Sequence, residues 1–297
     1  EALYISLGIK DSVGGGYGGR NYDTWKLIGG DWEYVSGRYF VYDMSGRESG
    51  IWNYTSIDIP ANVEVLFEKN SSNPPVVGLA TESVNIDGYL RLDGQDAKDN
   101  DGSDDYALGG PGGAAGGLGG IRFDVSGSYA GTPGQGPGGG MPGVTASQYG
   151  EAGKFNGTYG NTLLLPLVGG AGGGGGGSSN NTNGGHGGGG GGAILIASSR
   201  DITVNGVINA DGGNFRWSGA SYGGRGSGGG IKLMADRVQG SGNLYARGGR
   251  SQTNNEAGRI RMEAFYRPLA SRTAPVGTTS APIAAPDFDE LPTLSIV

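Results

Sequence analysis

An acidic run from Asp93 to Asp105 holds the densest group of side chains that could bind a cation. Its thirteen residues, DGQDAKDNDGSDD, include six carboxylates: Asp93, Asp96, Asp99, Asp101, Asp104 and Asp105. Oxygen ligands on a flexible acidic loop suit calcium. The spacing departs from the EF-hand pattern, because Gly102 directly follows Asp101 and no glutamate ends the loop at the required distance. Two interpretations stay open, a calcium site formed by these six carboxylates and a solvated acidic turn.

A second set of charged residues is considered for polysaccharide cleavage. That chemistry needs paired carboxylates, or a basic residue beside acids, on neighbouring segments. The candidates on predicted turns are Asp87, Arg91, Asp93, Asp211 and Arg247. The sequence alone places no convergent partner for any of them. We therefore predict a protein without enzymatic activity and keep a polysaccharide-degrading enzyme as an alternative.

The remaining composition excludes several classes of site. The chain has no cysteine, so it has no disulfide framework and no thiolate metal site. His186 is the only histidine, and glycines flank it on both sides, so we expect an exposed loop residue that does not act as a general base. The net charge is −7 and the arginines are scattered, so we expect no nucleic-acid partner. No apolar run approaches the roughly 18 residues of a membrane span, so none is expected.

Four N-x-S/T triplets lie in predicted loops and are candidate glycosylation sites. They begin at Asn53, Asn70, Asn156 and Asn180. Triplets of this kind also arise by chance in a chain rich in Asn, Ser and Thr. The chain also has fifteen tyrosines and four tryptophans, which either stack on sugars, pack across interfaces or cover the ends of the core.

The elements that must position these side chains follow from a repeat. One unit has two short alternating strands around a glycine turn, and its copies are VNIDGYLRLDG, ITVNGVINADGG and VQGSGNLYARGG. A second unit alternates with it, as GGIRFDV, GGAILIA, GGIKLMA and GRIRMEA. Within the second unit, Ile194, Ile231 and Ile260 are 37 and 29 residues apart. Periods of this size with strand alternation are typical of a solenoid.

Strand alternation divides each unit into two faces. A period of two places Ile231 and Leu233 on one face and Lys232 on the other. Stacking successive coils would bury the apolar face and pair every backbone amide with a neighbouring coil. The sequence therefore predicts an all-β fold, a parallel β-solenoid (β-helix).

Long glycine-rich insertions separate the strand units. They cover residues 94–120, 126–192, 212–230 and 248–258, and leave the predicted solenoid at corresponding places, so we expect them to gather on one side. Two interpretations stay open. The insertions pack as polyglycine-II-like strands hydrogen-bonded to each other, or they are solvated loops.

From residue 50 to 297, the order of these motifs resembles the glycine-rich parallel β-solenoid modules of large secreted or cell-surface bacterial proteins. The resemblance rests on GIWNYTSIDIPANVEVLF, PPVVGLATESVNIDGYLRLDG, the glycine insertion, GGGGGGAILIASSRDITVNGVINADGG, GSGGGIKLMADRVQGSGNLYARGG, AGRIRMEAF and LPTLSIV. It implies an extracellular or cell-surface location and a structural or adhesive role. It implies no catalytic residue, because that group has no common activity to carry over.

Three segments are predicted: an N-terminal β cap (1–55), a glycine-rich solenoid (56–267) and an extended proline-rich segment (268–297). Residues 30–46 predict a hairpin or a pair of strands within the cap. The last segment ends in an apolar alternation that could complete a strand edge of another copy. Its assembly residues are Leu291, Leu294, Ile296 and Val297.

These observations favour an extracellular structural or adhesive surface protein. In one version of this hypothesis, the protein is a subunit of a self-assembling filament. Its expected partners are further copies of itself, other surface components, or glycans. Besides the enzyme, a second alternative is the receptor-binding tip of a viral fibre, in which glycine loops display recognition residues. Calcium is the one cofactor considered.

Overall fold

A computed structural model of the protein describes the following residues: 3–4, 25–28, 31–34, 39–44, 48–61, 63–101, 105–122, 129–146, 148–154, 160–249, 256–269, 273–275 and 277–280. These residues contain many β-strands and almost no helix, so the predicted all-β class is confirmed. The predicted assembly residues Leu291, Leu294, Ile296 and Val297 lie outside the described part of the chain.

Twenty-one short strands are described. In the first half of the chain they are β1 (Leu3–Tyr4), β2 (Trp25–Ile28), β3 (Asp31–Tyr34), β4 (Tyr39–Asp43), β5 (Ile51–Tyr54), β6 (Ile57–Ile59), β7 (Glu64–Glu68), β8 (Val76–Ala80), β9 (Val84–Ile86) and β10 (Tyr89–Arg91). In the second half they are β11 (Ala193–Ser198), β12 (Asp201–Val204), β13 (Val207–Asn209), β14 (Trp217–Ser218), β15 (Ser221–Tyr222), β16 (Gly230–Met234), β17 (Arg237–Gln239), β18 (Asn243–Tyr245), β19 (Arg259–Glu263), β20 (Thr273–Ala274) and β21 (Thr278–Ser280).

The strands form three mostly parallel sheets and one small hairpin. A six-stranded sheet has the order β21-β19-β16-β11-β8-β5, and a five-stranded sheet the order β1-β6-β9-β12-β17. The eight-stranded sheet has the order β20-β18-β13-β10-β7-β4-β2-β3, with β3 antiparallel to β2. From β5 onward the chain visits the six-, five- and eight-stranded sheets in turn, and it repeats this visit three times up to β18. That order is compatible with a β-solenoid, although the sheets do not close on one another.

The register confirms the predicted equivalence of the repeated units. Ile231 of β16 is paired in register with Ile194 of β11 on one side and with Ile260 of β19 on the other. In the eight-stranded sheet, Ile208 is likewise flanked by Leu90 and Leu244. The side chains of all these residues are buried in one continuous apolar core. The alternation of the sequence therefore sets the register, because a shift by one residue would turn these side chains away from the core.

The polar face of the six-stranded sheet is also covered. Lys232 and Arg261 are both 5% exposed, and both bind the carboxylate of Glu263 on the same face. The chain at residues 162–163 lies over them, because Arg261 donates to the Thr162 carbonyl and Lys232 to the Leu163 carbonyl. The polar side chains predicted to face away from the core are thus buried beneath a distant segment.

Within the predicted cap, the described part of residues 30–46 contains two strands, β3 and β4, and these two do not form a hairpin with each other. The two strands are not neighbours in the sheet, because β2 lies between them. β4 continues the eight-stranded sheet through its pairing with β7. The cap boundary at residue 55 stays a prediction.

The described parts of the glycine insertions are hydrogen-bonded to each other and largely buried. We call them the glycine array, which comprises residues 109–120, 131–146, 148–153, 169–177, 184–192, 212–213 and 223–229. Gly188, for example, donates to the Gly224 carbonyl, and Gly117 donates to the Gly173 carbonyl. Segments 36 and 56 residues apart in sequence therefore share one hydrogen-bond network.

The central segment of the array, residues 170–177, changes its partner with a period of three. Gly170, Gly173 and Gly176 donate to the segment 185–191, and Gly172 and Gly175 donate to the segment 132–135. Gly174 and Gly177 donate to the segment 148–151. The carbonyls of 170–177 accept from three further segments, 114–120, 140–143 and 224–227. The central segment therefore has six neighbours, and it has no hydrogen bond within itself among those described.

Glycine is required at many positions of the array, because the neighbouring backbones lie too close together there for a side chain. A Cβ atom on Gly173 would lie 2.2 Å from the carbonyl oxygen of Gly224, which is backbone and cannot rotate away. The array is thus packed by backbone hydrogen bonds in place of apolar side chains.

Candidate functional site

The candidate site lies where the chain leaves the eight-stranded sheet for the glycine array. Asp93, Asp211 and Arg247 each follow, by two residues, an aligned position of β10, β13 or β18. Since parallel strands end at the same edge, the three side chains form a row. The amide of Asp211 donates to Oδ1 of Asp93 at 3.1 Å, and the amide of Arg247 donates to Oδ1 of Asp211 at 2.6 Å.

Two guanidinium groups neutralise this row. Arg91 donates from Nε to Oδ2 of Asp93 at 3.0 Å and from Nη1 to Oε1 of Glu64 at 2.5 Å. Arg247 donates from Nε to Oδ2 of Asp211 at 2.9 Å. Its guanidinium also lies over the ring of Tyr245, 4.1 Å from the ring centroid, which is within cation–π distance.

In this row, the Asp93 carboxyl group has a clearly raised pKa. Burial raises the pKa of Asp93 to about 6, and the Asp211 carboxylate adds to the rise. The Arg91 guanidinium and the amide of Asp211 oppose it. An acid with this pKa exchanges its proton near neutral pH, which is what general acid–base chemistry requires.

These residues line a cavity of about 1200 Å³, which we call the charged groove. Its lining includes Arg91, Asp93, Asp211 and Arg247, and also Lys98, Asp105 and Tyr106. Lys98 binds Asp105 at 2.9 Å, and both side chains are exposed. The groove thus presents guanidinium, carboxylate, ammonium and phenol groups to one ligand-sized space, and such a set can pair with sugar hydroxyls or move a proton.

The structure brings together four of the five residues considered for polysaccharide cleavage, namely Arg91, Asp93, Asp211 and Arg247. Asp87 is not among the residues that line the groove. Its carboxylate accepts from Asn205 Nδ2 at the turn before β10. Sequence reasoning missed Glu64 and Tyr245. The aligned repeats could have indicated Tyr245, because it occupies the position of Arg91 two residues before the charged row.

Four of the six residues of the predicted calcium site have side-chain partners, and these partners differ. Asp93 binds Arg91, Asp96 accepts from the amide of Asn214 at 2.7 Å, Asp99 binds Arg216, and Asp105 binds Lys98. Asp104 lies outside the described residues, and Asp101 follows Asp99 in a turn. Among the described residues, no three carboxylate or histidine side chains are grouped as metal ligands. Calcium binding stays a prediction.

His186 is buried, at 1% exposure, so the expectation of an exposed loop residue is wrong. It lies within the glycine array, where its Nδ1 accepts from the amide of Gly119 at 2.9 Å. The flanking glycines indicated a loop, but here they allow neighbouring chains to enclose the ring.

Three of the four predicted glycosylation sites lie in the described part of the chain. Asn53 and Asn180 are exposed, and the hydroxyl of Tyr129 donates to Oδ1 of Asn180. Asn70 donates from Nδ2 to the Met44 carbonyl at 3.0 Å, so this nitrogen is already engaged. Asn156 lies outside the described residues. Glycosylation stays a prediction at all four.

Comparison with known proteins adds no relative. No protein-family model, no curated protein and no solved structure matches this chain. Within the described residues, no helix is long and apolar enough to cross a lipid bilayer.

Proposed function

We propose that the protein is an extracellular structural or adhesive surface protein without enzymatic activity. In this proposal the three parallel sheets form a β-solenoid, and the glycine array forms a polyglycine-II-like lattice along one side of it. The observation that carries the proposal is the central segment 170–177, which has six hydrogen-bonded neighbours and a partner period of three. A polyproline-II helix has three residues per turn and no internal hydrogen bonds, so its amides point outward in three directions.

Such a body is suited to display and adhesion. Backbone hydrogen bonds fix the array in three directions. Strands β11 and β16 begin directly after the array segments 184–192 and 223–229, so the array leads straight into the six-stranded sheet. The array has few side chains of its own, so recognition must come from the segments that emerge from it. The resemblance to modules of secreted bacterial surface proteins favours the same role.

Adhesion is tested with beads coated with the purified chain. Beads should attach to cells or cell-wall material at a level that uncoated and albumin-coated beads do not reach. Negative-stain microscopy and sedimentation velocity test the filament version, for which particle length should grow with concentration. A protein that stays monomeric and coats beads that never attach would contradict both versions.

One observation favours a second candidate, the polysaccharide-degrading enzyme. The charged groove joins Asp93, whose pKa is raised to about 6, to a neighbouring carboxylate, Asp211. A proton donor beside a carboxylate is the pair that glycoside hydrolysis uses. Incubation with a polysaccharide panel, followed by chromatography of the products, tests it. Cleavage by the wild type that is lost in Asp93→Asn and Asp211→Asn, with folding retained, would replace the non-enzymatic proposal.

A further inference from the structure

A second cavity lies next to the glycine array, and three aromatic side chains, Phe215, Trp217 and Tyr222, line it. The chain leaves the array after Gly213, forms the hairpin of β14 and β15, and returns to the array at Gly223. The hairpin faces the acidic run and encloses about 700 Å³. We call this space the aromatic cleft, lined principally by Asp99, Asn214, Phe215, Arg216, Trp217 and Tyr222.

Three rings are assembled around Tyr222. The centroids of Phe215 and Tyr149 each lie 5.2 Å from that of Tyr222 in edge-to-face geometry. Trp217 lies 6.3 Å from it at an interplanar angle of 37°. Trp217 is 59% exposed and Tyr149 is 61% exposed, so these rings present apolar faces to solvent.

The hairpin that carries Trp217 and Tyr222 is fixed to the array. Trp217 is the cross-strand partner of Tyr222, and Ser218 that of Ser221. Ser221 is buried, and its hydroxyl donates to the Gly177 carbonyl at 2.6 Å. The aromatic faces are therefore held in place before any ligand arrives, which lowers the entropy cost of binding.

Polar groups flank the aromatic faces in the same cleft. Arg216, next to Trp217, binds the carboxylate of Asp99 with both Nε and Nη2, and the Nη2–Oδ2 distance is 2.9 Å. Both side chains are more than half exposed, so their remaining donor and acceptor sites are open to a ligand. The pair has no net charge, and the protein as a whole carries −7.

From this arrangement we infer that the aromatic cleft binds a neutral oligosaccharide of pyranose units. The axial C–H groups of a pyranose form an apolar face that packs on an exposed indole or phenol ring, and its hydroxyls pair with the carboxylate and guanidinium beside it. A protein partner fits less well, because the cores of protein interfaces are depleted of charged residues, whereas an ion pair borders these rings. An anionic sugar is disfavoured by the acidic surroundings. The inference rests on the proposed adhesive function and gives it a ligand.

The aromatic cleft also has a direction of extension. Asn214 lines both this cleft and the charged groove. A sugar chain too large for the 700 Å³ of the cleft therefore continues past Asn214 into the charged groove. We expect tetrasaccharides to bind more tightly than disaccharides.

The test is titration calorimetry with neutral tetrasaccharides of glucose and of N-acetylglucosamine, and with tetragalacturonate as the anionic comparison. We expect the wild type to bind at least one neutral tetrasaccharide and to change its tryptophan fluorescence on binding. Trp217→Ala should weaken binding at least tenfold, and Trp217→Phe should recover part of the loss. Phe265→Ala is the matched control, since Phe265 is 72% exposed and lies outside the cleft.

Several outcomes would overturn the inference. They are absence of binding to every neutral sugar at millimolar concentration, preference for the galacturonate, or equal affinity of Trp217→Ala and wild type. A wild-type dimer that Trp217→Ala dissociates would assign the aromatic cleft to a second copy of the chain. The bead assay separates this inference from the proposed function. If Trp217→Ala beads attach as well as wild-type beads, adhesion stands and the cleft is not its site.

Discussion

The Nζ atom of Lys232 lies 3.1 Å from Oε1 of Glu263, and both side chains are almost fully buried on the outer face of the six-stranded sheet. Arg261 binds the same carboxylate oxygen at 2.6 Å. One carboxylate thus serves two buried cations, and the main chain at residues 162–163 closes the cluster.

Loss of the Glu263 charge should destabilise the protein strongly. Glu263→Gln leaves two buried cations without a counter-charge, so the free energy of unfolding should fall by about 3–5 kcal/mol. Urea denaturation measures it. Glu151→Gln is the control, because Glu151 pairs with Lys154 at the exposed surface, where such pairs contribute about 0–1 kcal/mol. Equal effects of the two substitutions would contradict the buried cluster.

The same carboxylate should make the protein sensitive to acid. Burial alone would raise the pKa of Glu263, but hydrogen bonds from Arg261 and Lys232 hold it below its ordinary value of 4.5. Its stabilising contribution is therefore complete at neutral pH and is lost as the pH falls below 4.5 through the lower folded pKa. In Glu263→Gln this acid-dependent loss should be smaller than in the wild type.

Asp93 should have the opposite effect on the pH dependence of stability to that of Glu263. Its pKa rises from 3.8 in the unfolded chain to about 6 in the folded protein, so the folded state binds the proton more tightly. Stability at this site is greatest below pH 3.8 and is lost as the pH rises through about 6. Relative to Asp93→Asn, the wild type should therefore gain at most about 3 kcal/mol between pH 7.5 and pH 4. Parallel curves of unfolding free energy against pH for the two proteins would contradict the raised pKa. Asp105→Asn, at another residue that lines the groove, should keep the wild-type response.

A methyl group in the glycine array should be destabilising. Gly173→Ala places a Cβ atom 2.2 Å from the Gly224 carbonyl oxygen, so the two segments must separate. We expect a loss of several kcal/mol, or failure to fold, because the atoms nearest to the added methyl group are all backbone atoms of residues 224–225 and cannot rotate away. Gly78→Ala is the control, since its Cβ atom would meet nothing closer than 3.5 Å and would face a small apolar cavity. Its melting temperature should match or exceed that of the wild type.

The shared register of the repeats predicts that the free energy of unfolding depends strongly on the residue at position 231. Ile231→Asp puts an unpaired carboxylate into the fully buried core between Ile194 and Ile260, at a cost of several kcal/mol. Ile231→Val removes one methylene and should cost about 0.5–1.5 kcal/mol. A soluble, cooperatively melting Ile231→Asp protein would show that these strands do not share one core.

The sequence predicted those parts of the fold that depend on side-chain pattern. Alternation around Ile194, Ile231 and Ile260, read on aligned repeats, predicted their equivalence, because a shift by one residue would turn these side chains away from the core. The same alignment placed Asp93 and Asp211 at equivalent exits, but their convergence with Arg91 needed the structure, since side-chain direction after a strand is not encoded in alternation.

The parts that the sequence did not predict depend on chain segments that approach from far away. His186 is buried because separate glycine segments enclose it, and a glycine run carries no pattern that says which segment will be its neighbour. Lys232 is buried because residues 162–163 lie over it, about seventy positions earlier in the chain. A period of two assigns such a residue to a face but does not indicate what covers that face.

The glycine array also has a consequence for the heat capacity of the protein. Its packing buries peptide groups and almost no apolar side chains, and exposure of polar surface lowers the heat-capacity change of unfolding whereas exposure of apolar surface raises it. The array should therefore bring that change below the usual 12–15 cal/mol/K per residue. A smaller heat-capacity change flattens the curve of stability against temperature, so the protein should resist both cold and heat over a wider range than a domain of equal size held by a hydrocarbon core.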